Sequence, residues 1–224
     1  MKSPFKFLDS FTKDDKEIFF GRDKETEELY HKIFESKILL VYGVSGTGKS
    51  SLINCGLAKK FNDTDWLPIN IRRGNDIVES LEKGLKKAGS QQEAVGNQQS
   101  AVSSQQSAVG LKTEDCGLKT EDCGLKHVNF KKLIRSLYLD NFKPIYIIFD
   151  QFEELFIFGS KSEKEEFIKV LHSVIESDLQ CRFLFVIREE YLAGVTEFEK
   201  HIPTFLANRV RIEKMTRSNA QQAI

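Results

Sequence analysis

Residues Gly43-Val44-Ser45-Gly46-Thr47-Gly48-Lys49-Ser50 constrain this chain more than any other stretch. They match the pattern GxxxxGK[ST] throughout, and their context matches as well. The run Lys37–Tyr42, apolar from Ile38 onward, precedes them, and a helix-forming run over Ser50–Lys60 follows. Glycines in such a loop let the backbone turn tightly and aim its N–H groups inward, which makes a nest for an anion. The following helix adds its positive N-terminal end. Lys49 would then reach the β- and γ-phosphates as a point charge. The Ser50 hydroxyl would coordinate Mg²⁺, and Ser51 would donate to the α-phosphate. Strand, loop and helix in register therefore read as a P-loop for a nucleoside triphosphate with Mg²⁺.

The rest of the chain repeats the alternation of apolar strands and amphipathic helices. Glu25–Ser36 predicts a helix with Leu29, Tyr30, Ile33 and Phe34 as its apolar residues. Trp66–Ile71 predicts a strand, Asp76–Lys87 a helix with Ile77, Leu81 and Leu85 at spacing four, and Val128–Leu139 a further helix. Pro144 introduces a strand over Ile145–Phe149, followed by a helix over Ser162–Asp178 and a strand over Cys181–Ile187. Val210–Ile212 predicts a last short strand, and Ser218 onward starts a helix. Strands that are apolar on both faces and alternate with helices imply a parallel sheet covered on both sides. Such sheets bind ligands at the carboxyl ends of their strands.

Two more strand ends carry chemistry. Ile145-Tyr146-Ile147-Ile148-Phe149 ends in Asp150, which is the Walker B arrangement: the carboxylate would hold Mg²⁺, mostly through bound water. Gln151-Phe152-Glu153-Glu154 follows. A hydrolysing P-loop enzyme needs a group that orients or deprotonates water. Glu153 and Glu154 are the candidates, Gln151 could also orient water, and the residues alone do not choose among them. Phe183–Ile187 ends in Arg188, which would either contact the γ-phosphate or pair with Glu189, Glu190 or another surface acid. Arg72-Arg73, after the second strand, reads as a solvated turn rather than an arginine finger.

Residues 90–126 depart from this pattern. QQEAVGN, QQSAVSS and QQSAVG begin at Gln91, Gln98 and Gln105, and LKTEDCG occurs at Leu111 and Leu118. The seven-residue period is that of a coiled coil, but glycines and serines interrupt every copy and little is apolar. The stretch reads as a disordered low-complexity insertion in a surface loop. Lys plus Arg and Asp plus Glu both number 33, so the net charge is zero, which argues against a chain whose main partner is nucleic acid. No apolar run approaches the ~20 residues that span a bilayer, and the N-terminus lacks the apolar core of a signal peptide. None of Cys55, Cys116, Cys123 and Cys181 forms a CxxC pair, which fits free thiols in a reducing cytoplasm.

Four stretches in order resemble the STAND class of P-loop NTPases, in particular its prokaryotic novel STAND branch. Asp150-Gln151-Phe152-Glu153-Glu154-Leu155-Phe156 resembles the DQFEELF signature. Phe19-Phe20-Gly21-Arg22-Asp23 resembles the hhGRE element, Gly43 through Leu57 the family's P-loop and first helix, and Ile187-Arg188-Glu189-Glu190-Tyr191 its sensor 1 region. The resemblance implies a three-layer αβα ATPase core over residues 21–224 after a lead of residues 1–20; the expected departure from the family is the lack of its C-terminal winged-helix portion. It implies ATP or ADP with Mg²⁺ as cofactors. Phe20, Gly21 and Arg22 would lie by the adenine and ribose; Gly43, Ser45, Gly46, Thr47, Gly48, Lys49, Ser50 and Ser51 would surround the phosphates. Ser50 and Asp150 would serve the metal, Glu153 and Glu154 hydrolysis, and Arg188 would be sensor 1. It further implies a switch that couples nucleotide state to self-association or a partner protein, with antiphage defence as the biology. The alternatives are a nucleotide-binding interaction module with little turnover and a P-loop enzyme of another class. A kinase needs an Arg-rich lid that is not seen. An AAA+ loader usually has Asp-Glu in succession, whereas here Gln151 follows Asp150.

Overall fold

The computed structural model describes residues 10–96 and 128–216. The elements in chain order are α1 (Asp23–Glu35), β1 (Ile38–Gly43), α2 (Lys49–Ser51), β2 (Leu67–Ile71), α3 (Ile77–Gly96), α4 (Phe130–Asn141), β3 (Ile145–Phe149), α5 (Glu154–Phe158), α6 (Lys161–Ile175), β4 (Cys181–Arg188), α7 (Leu192–Glu199) and β5 (Arg209–Arg211). The five strands form one sheet in the order β2-β3-β4-β1-β5, and every pairing is parallel. The predicted αβα sandwich with a parallel sheet is the architecture observed.

Side-chain alternation along each strand builds the three layers, because successive residues point to opposite faces of a sheet. Leu39, Val41, Tyr146, Ile148, Leu184 and Val186 pack with Leu29 and Ile33 of α1 and Leu52, Ile53 and Leu57 after the P-loop. Ile38, Leu40, Ile147, Phe149, Phe183 and Phe185 pack with α3, α4 and α6 on the other face. Both faces of β3 are buried along its length, so its run of five apolar residues needs no polar interruption. On the second face Phe185 is the hub. Its ring stacks on Phe149 at 5.0 Å and lies 4.7 Å from both Phe152 and Phe205.

Several local features differ from expectation. The predicted helix Ser50–Lys60 is α-helical only over Lys49–Ser51; it widens to π-helical turns over Leu52–Leu57 and tightens to a 3-10 turn at Ala58–Lys60. Gly56 lies in the widened part, where a Cβ would fall 2.8 Å from Thr26 Oγ1 and 3.0 Å from the Phe19 ring. Helix α3 runs past Lys87 to Gly96, since Gln and Ala are good helix formers. The remaining repeats, Cys116, Cys123 and the helix predicted from Ser218 lie outside the described residues. Helices α5 and α7 are short elements that periodicity did not predict. Cys55 and Cys181 are buried and outside any disulfide, and burial pushes the Cys181 thiol up to about 12, which leaves it inert. Among the described residues no helix is long and apolar enough to cross a membrane.

The aromatic hub makes a direct prediction. Phe185→Ala is expected to lower stability by about 3–5 kcal/mol, the range for a buried Phe truncation that cannot fully collapse. The expected reading is a lower urea midpoint with an unchanged m-value.

Candidate nucleotide-binding site

The site lies where β1, β3 and β4 end. Strand β1 ends at Gly43, and the chain leaving β5 runs hard against it. Ile212 N–H donates to the Tyr42 carbonyl at 2.7 Å, and a Cβ on Gly43 would lie 2.3 Å from the Ile212 carbonyl oxygen. Any side chain at Gly43 is excluded. The loop then turns through Gly46 and Gly48 at φ 77° and 82°, left-handed backbone that glycine adopts without cost. Nothing lies within 4 Å of where their Cβ atoms would be, so the demand here is conformational rather than steric. Thr47 ties the turn through its hydroxyl to the Val44 carbonyl at 3.0 Å. The Lys49 ammonium folds back to donate to the carbonyls of Gly43 and Val44, each at 2.9 Å.

Asp150 stands across the cleft from this loop. Its Oδ1 accepts from the Ser50 hydroxyl at 2.7 Å and from its own neighbour, Gln151 N–H, at 3.1 Å. Gln151 has φ 57°, a left-handed turn that folds the chain back against β4. Phe152 N–H then donates to Val186 O at 2.9 Å, and the Phe152 ring buries itself against Phe185. That turn sets the next residue, Glu153, beside Arg188. Its buried carboxylate accepts from the Arg188 backbone N–H at 3.3 Å and pairs as an ion with the Arg188 guanidinium, Nε at 3.0 Å. The acid that Arg188 meets is therefore Glu153, not Glu189 or Glu190; Glu189 pairs with Arg211 instead. The β1–β4 register sets Arg188 opposite Gly43.

A cleft of about 220 Å³ opens among these groups, walled by Gly46, Lys49, Ser50, Asp150, Glu153 and Arg188, with Ser45 and Gln151 also on its lining. Glu154 does not line it; the first residue of α5, it donates its N–H to the Gln151 carbonyl. Burial pushes the Lys49 ammonium below its usual range; Glu153 opposes that shift and Arg188 adds to it. Among the described residues no group of three or more His, Cys, Asp and Glu is arranged to hold a metal by itself. A cation here would rest on Ser50, Asp150, water and oxygens brought by a ligand, the coordination that Mg²⁺ favours.

A second cleft, of about 330 Å³, adjoins the first through Gly46, Gly48 and Ser51. Its walls are largely apolar: Phe11, Ile18, Phe19 and Phe20 on one side, Met215 on the other. Phe20 is exposed, and Ser51 Oγ accepts from Phe11 N–H at 3.1 Å while keeping a hydroxyl proton to donate. Gly21 is not on the lining; at φ 77° it turns the chain from Phe20 into α1. Arg22 touches the cleft, but its guanidinium is engaged. It donates to Thr47 O at 3.0 Å, Glu213 O at 2.9 Å and Glu25 Oε1 at 2.6 Å. It braces the P-loop from below.

The expectation that Arg72-Arg73 forms a solvated turn holds for the exposed side chain of Arg72 and fails for Arg73. Arg73 is a half-buried bidentate partner of Glu163 at 2.9 and 2.7 Å, and Arg72 reaches Asp150. Phe11, Lys214 and Met215 were also missed as lining residues. The aromatic content ahead of Gly21 was a signal for Phe11; Lys214 and Met215 carried none.

A parallel sheet in which β4 separates the P-loop strand from the acidic strand, with the glycine loop and Asp150 facing each other, defines a P-loop NTPase fold. The family model described as "Novel STAND NTPase 1" matches residues 4–224, and the chain belongs to that family. Two solved structures are similar in fold. The Walker-type ATPase of Pyrococcus abyssi shares 15% identity at a TM-score of 0.62, covering 98% of this chain and 60% of that one. The ORC2 protein of Aeropyrum pernix, solved as ADPNP-ADP complexes, shares 13% identity at a TM-score of 0.57, covering 94% of this chain and 51% of that one. The chain thus spans half to three fifths of the length of these structures. No curated protein matches it.

Arg22→Ala is expected to cost about 1–3 kcal/mol, because it strips the buried Thr47 carbonyl of a charged donor. Arg22→Lys should not restore the loss, since one ammonium cannot reproduce three divergent contacts. Chemical denaturation of the three proteins checks both statements.

Proposed function

We propose that this domain binds ATP and ADP with Mg²⁺ and hydrolyses ATP. The observation that carries the reading is the Ser50–Asp150 hydrogen bond at 2.7 Å, formed in a cleft that Lys49, Glu153 and Arg188 also wall. A hydroxyl and a carboxylate in contact beside an anion nest are the pair a P-loop protein offers to a hydrated divalent cation. Bound there, Mg²⁺ would neutralise charge on the phosphate oxygens. The adjoining apolar cleft, reached past Ser51, supports the base and ribose in the direction of Phe19 and Phe20.

Of the acidic pair, the geometry favours Glu153 over Glu154 for the proton step. Glu153 lines the phosphate cleft, and Glu154 does not. The Glu153 carboxylate would take a proton from water as that water attacks the γ-phosphorus, with ADP as leaving group. Arg188 would meet the terminal phosphate as the charge there is redistributed. A second reading has its own support: Arg188 already engages the Glu153 carboxylate through two contacts, which favours a nucleotide-binding module with little turnover. Membership of the family supports a further extension, a signalling switch that couples nucleotide state to self-association or a partner, with antiphage defence as its setting. Light scattering with ADP and with ATP tests it; one unchanged molar mass in both states, with or without candidate partners, would count against it.

Lys49→Ala is expected to abolish nucleotide binding measured by calorimetry, and unchanged affinity would sink the assignment. Glu153→Gln is expected to lower the rate of phosphate release about 10²- to 10⁴-fold while affinity holds, and Glu154→Gln far less. A wild-type protein that binds ATP but releases no phosphate selects the binding-module reading.

A further inference from the structure

Asp150 divides its two carboxylate oxygens between different partners. The β2–β3 register sets Ile71 opposite Phe149, and Asp150 N–H donates to the Ile71 carbonyl at 2.9 Å. The residue that follows β2 therefore sits beside the carboxylate at the tip of β3. Oδ1 serves Ser50 and Gln151, on the side of the P-loop. Oδ2 accepts from Arg72 Nη2 at 3.2 Å, on the side away from it.

The next residue explains why Arg72 stays there. Arg73 grips Glu163 with both arms and also donates to the carbonyls of Gly74 and Phe158. Glu163 in turn accepts from Ile77 N–H at 2.9 Å, so the turn from β2 into α3 is bolted to the start of α6. The Arg72 backbone is fixed by this anchor, while its side chain is 62% exposed and meets Asp150 through a single N–H. Arg73 builds the fold; among the described residues the Arg72 head has Asp150 as its one hydrogen-bonded partner.

Charge gives this contact a consequence. Diphosphate and triphosphate groups bring several negative charges to a cleft that already holds Asp150 and Glu153. Each of these acids has an arginine of its own: Glu153 has Arg188 and Asp150 has Arg72. Lys49 is thereby left for phosphate. A divalent cation at Ser50 and Asp150 would supply positive charge to the same carboxylate through its other oxygen. Arg72 and the cation would then repel each other while both attract Asp150.

We propose that Arg72 is the built-in counter-cation of Asp150, a positioning residue that neutralises this carboxylate when no divalent cation is bound and so sets how strongly nucleotide binding depends on Mg²⁺. The inference rests on the nucleotide reading above. With Arg72 present, metal-free nucleotide is tolerated and the gain from metal is moderate. Without it, Asp150 faces the phosphates uncompensated until a cation arrives.

The test measures the Kd of a fluorescent ADP analogue on the full chain, in EDTA and in saturating Mg²⁺, for wild type, Arg72→Ala and Arg72→Lys. The ratio of Kd in EDTA to Kd in Mg²⁺ is expected to rise about tenfold in Arg72→Ala, the scale of one unit charge acting across several ångströms of partly solvated protein. Arg72→Lys, which restores the charge, should bring the ratio most of the way back. Matching thermal unfolding curves verify that the exposed side chain is not needed for folding. An unchanged ratio, equal weakening in both conditions, or an Arg72→Lys protein that behaves like Arg72→Ala would overturn the inference. Failure of the underlying nucleotide reading looks different: wild type would not bind the analogue, or Lys49→Ala would bind it as well as wild type does.

Discussion

The hydrogen bond from Ser50 to Asp150 joins residues 100 positions apart, and much else in the molecule exists to let it form. Neither residue is placed by its own neighbourhood. Ser50 stands where it does because Gly46 and Gly48 reverse the backbone after β1. Asp150 stands where it does because β3 is buried on both faces and cannot slide. A one-residue slip in a parallel register would carry every apolar side chain to the other face, and here both faces are already filled. The polar contact at the rim is thus held by apolar packing along the strands beneath it. The Ser50–Asp150 bond contributes little to stability by itself; its value is that it marks the point on which loop and strand converge.

The same sheet order decides which charges meet. With β4 between β1 and β3, Arg188 rises between the glycine loop and Asp150, and the left-handed turn at Gln151 tucks Glu153 under it. With β2 on the outer side of β3, Arg72 reaches Asp150 from the opposite direction. Two carboxylates and two arginines are interleaved around one lysine. A buried carboxylate without a partner is costly, and each acid in this cleft has one. The cleft is consequently nearly balanced in charge, and an incoming phosphate group exchanges partners rather than meeting bare positive charge.

The elements with a strong period were legible in the sequence. The strands at Ile38, Ile145 and Cys181 and the helices carrying Leu29, Ile134 and Leu171 all stand within a few residues of where periodicity puts them. The glycine loop, the strand-end acid and Arg188 were legible as well, because each follows an apolar run whose end is visible. What could not be read were side-chain partners. Nothing in Arg72-Arg73 distinguishes an arginine locked on Glu163 from one in water, since Glu163 lies on another helix and is brought there by the fold. Likewise Glu153 and Glu154 are adjacent acids of equal composition. What separates them is the left-handed backbone at Gln151, a conformation that non-glycine residues adopt uncommonly and that sequence pattern does not report. The short helix α5 escaped for a related reason: five residues are too few for a stripe of regular period, and its Phe156 packs on Phe152 and Phe198.

Arg22 links these local facts to the two flanks of the core. One guanidinium holds the Thr47 carbonyl inside the P-loop and the Glu213 carbonyl just beyond β5. Residues before α1 and residues after β5 thereby meet across the loop, and both line the apolar cleft: Phe19 and Phe20 from one side, Lys214 and Met215 from the other. A ligand seated in that cleft would touch both flanks at once and the loop between them. A planar fork that donates to both carbonyls ties the position of Thr47 to that of Glu213. The chain that leaves β5 thus meets the phosphate loop at two points, through the Ile212 N–H on the Tyr42 carbonyl and through the buried guanidinium of Arg22.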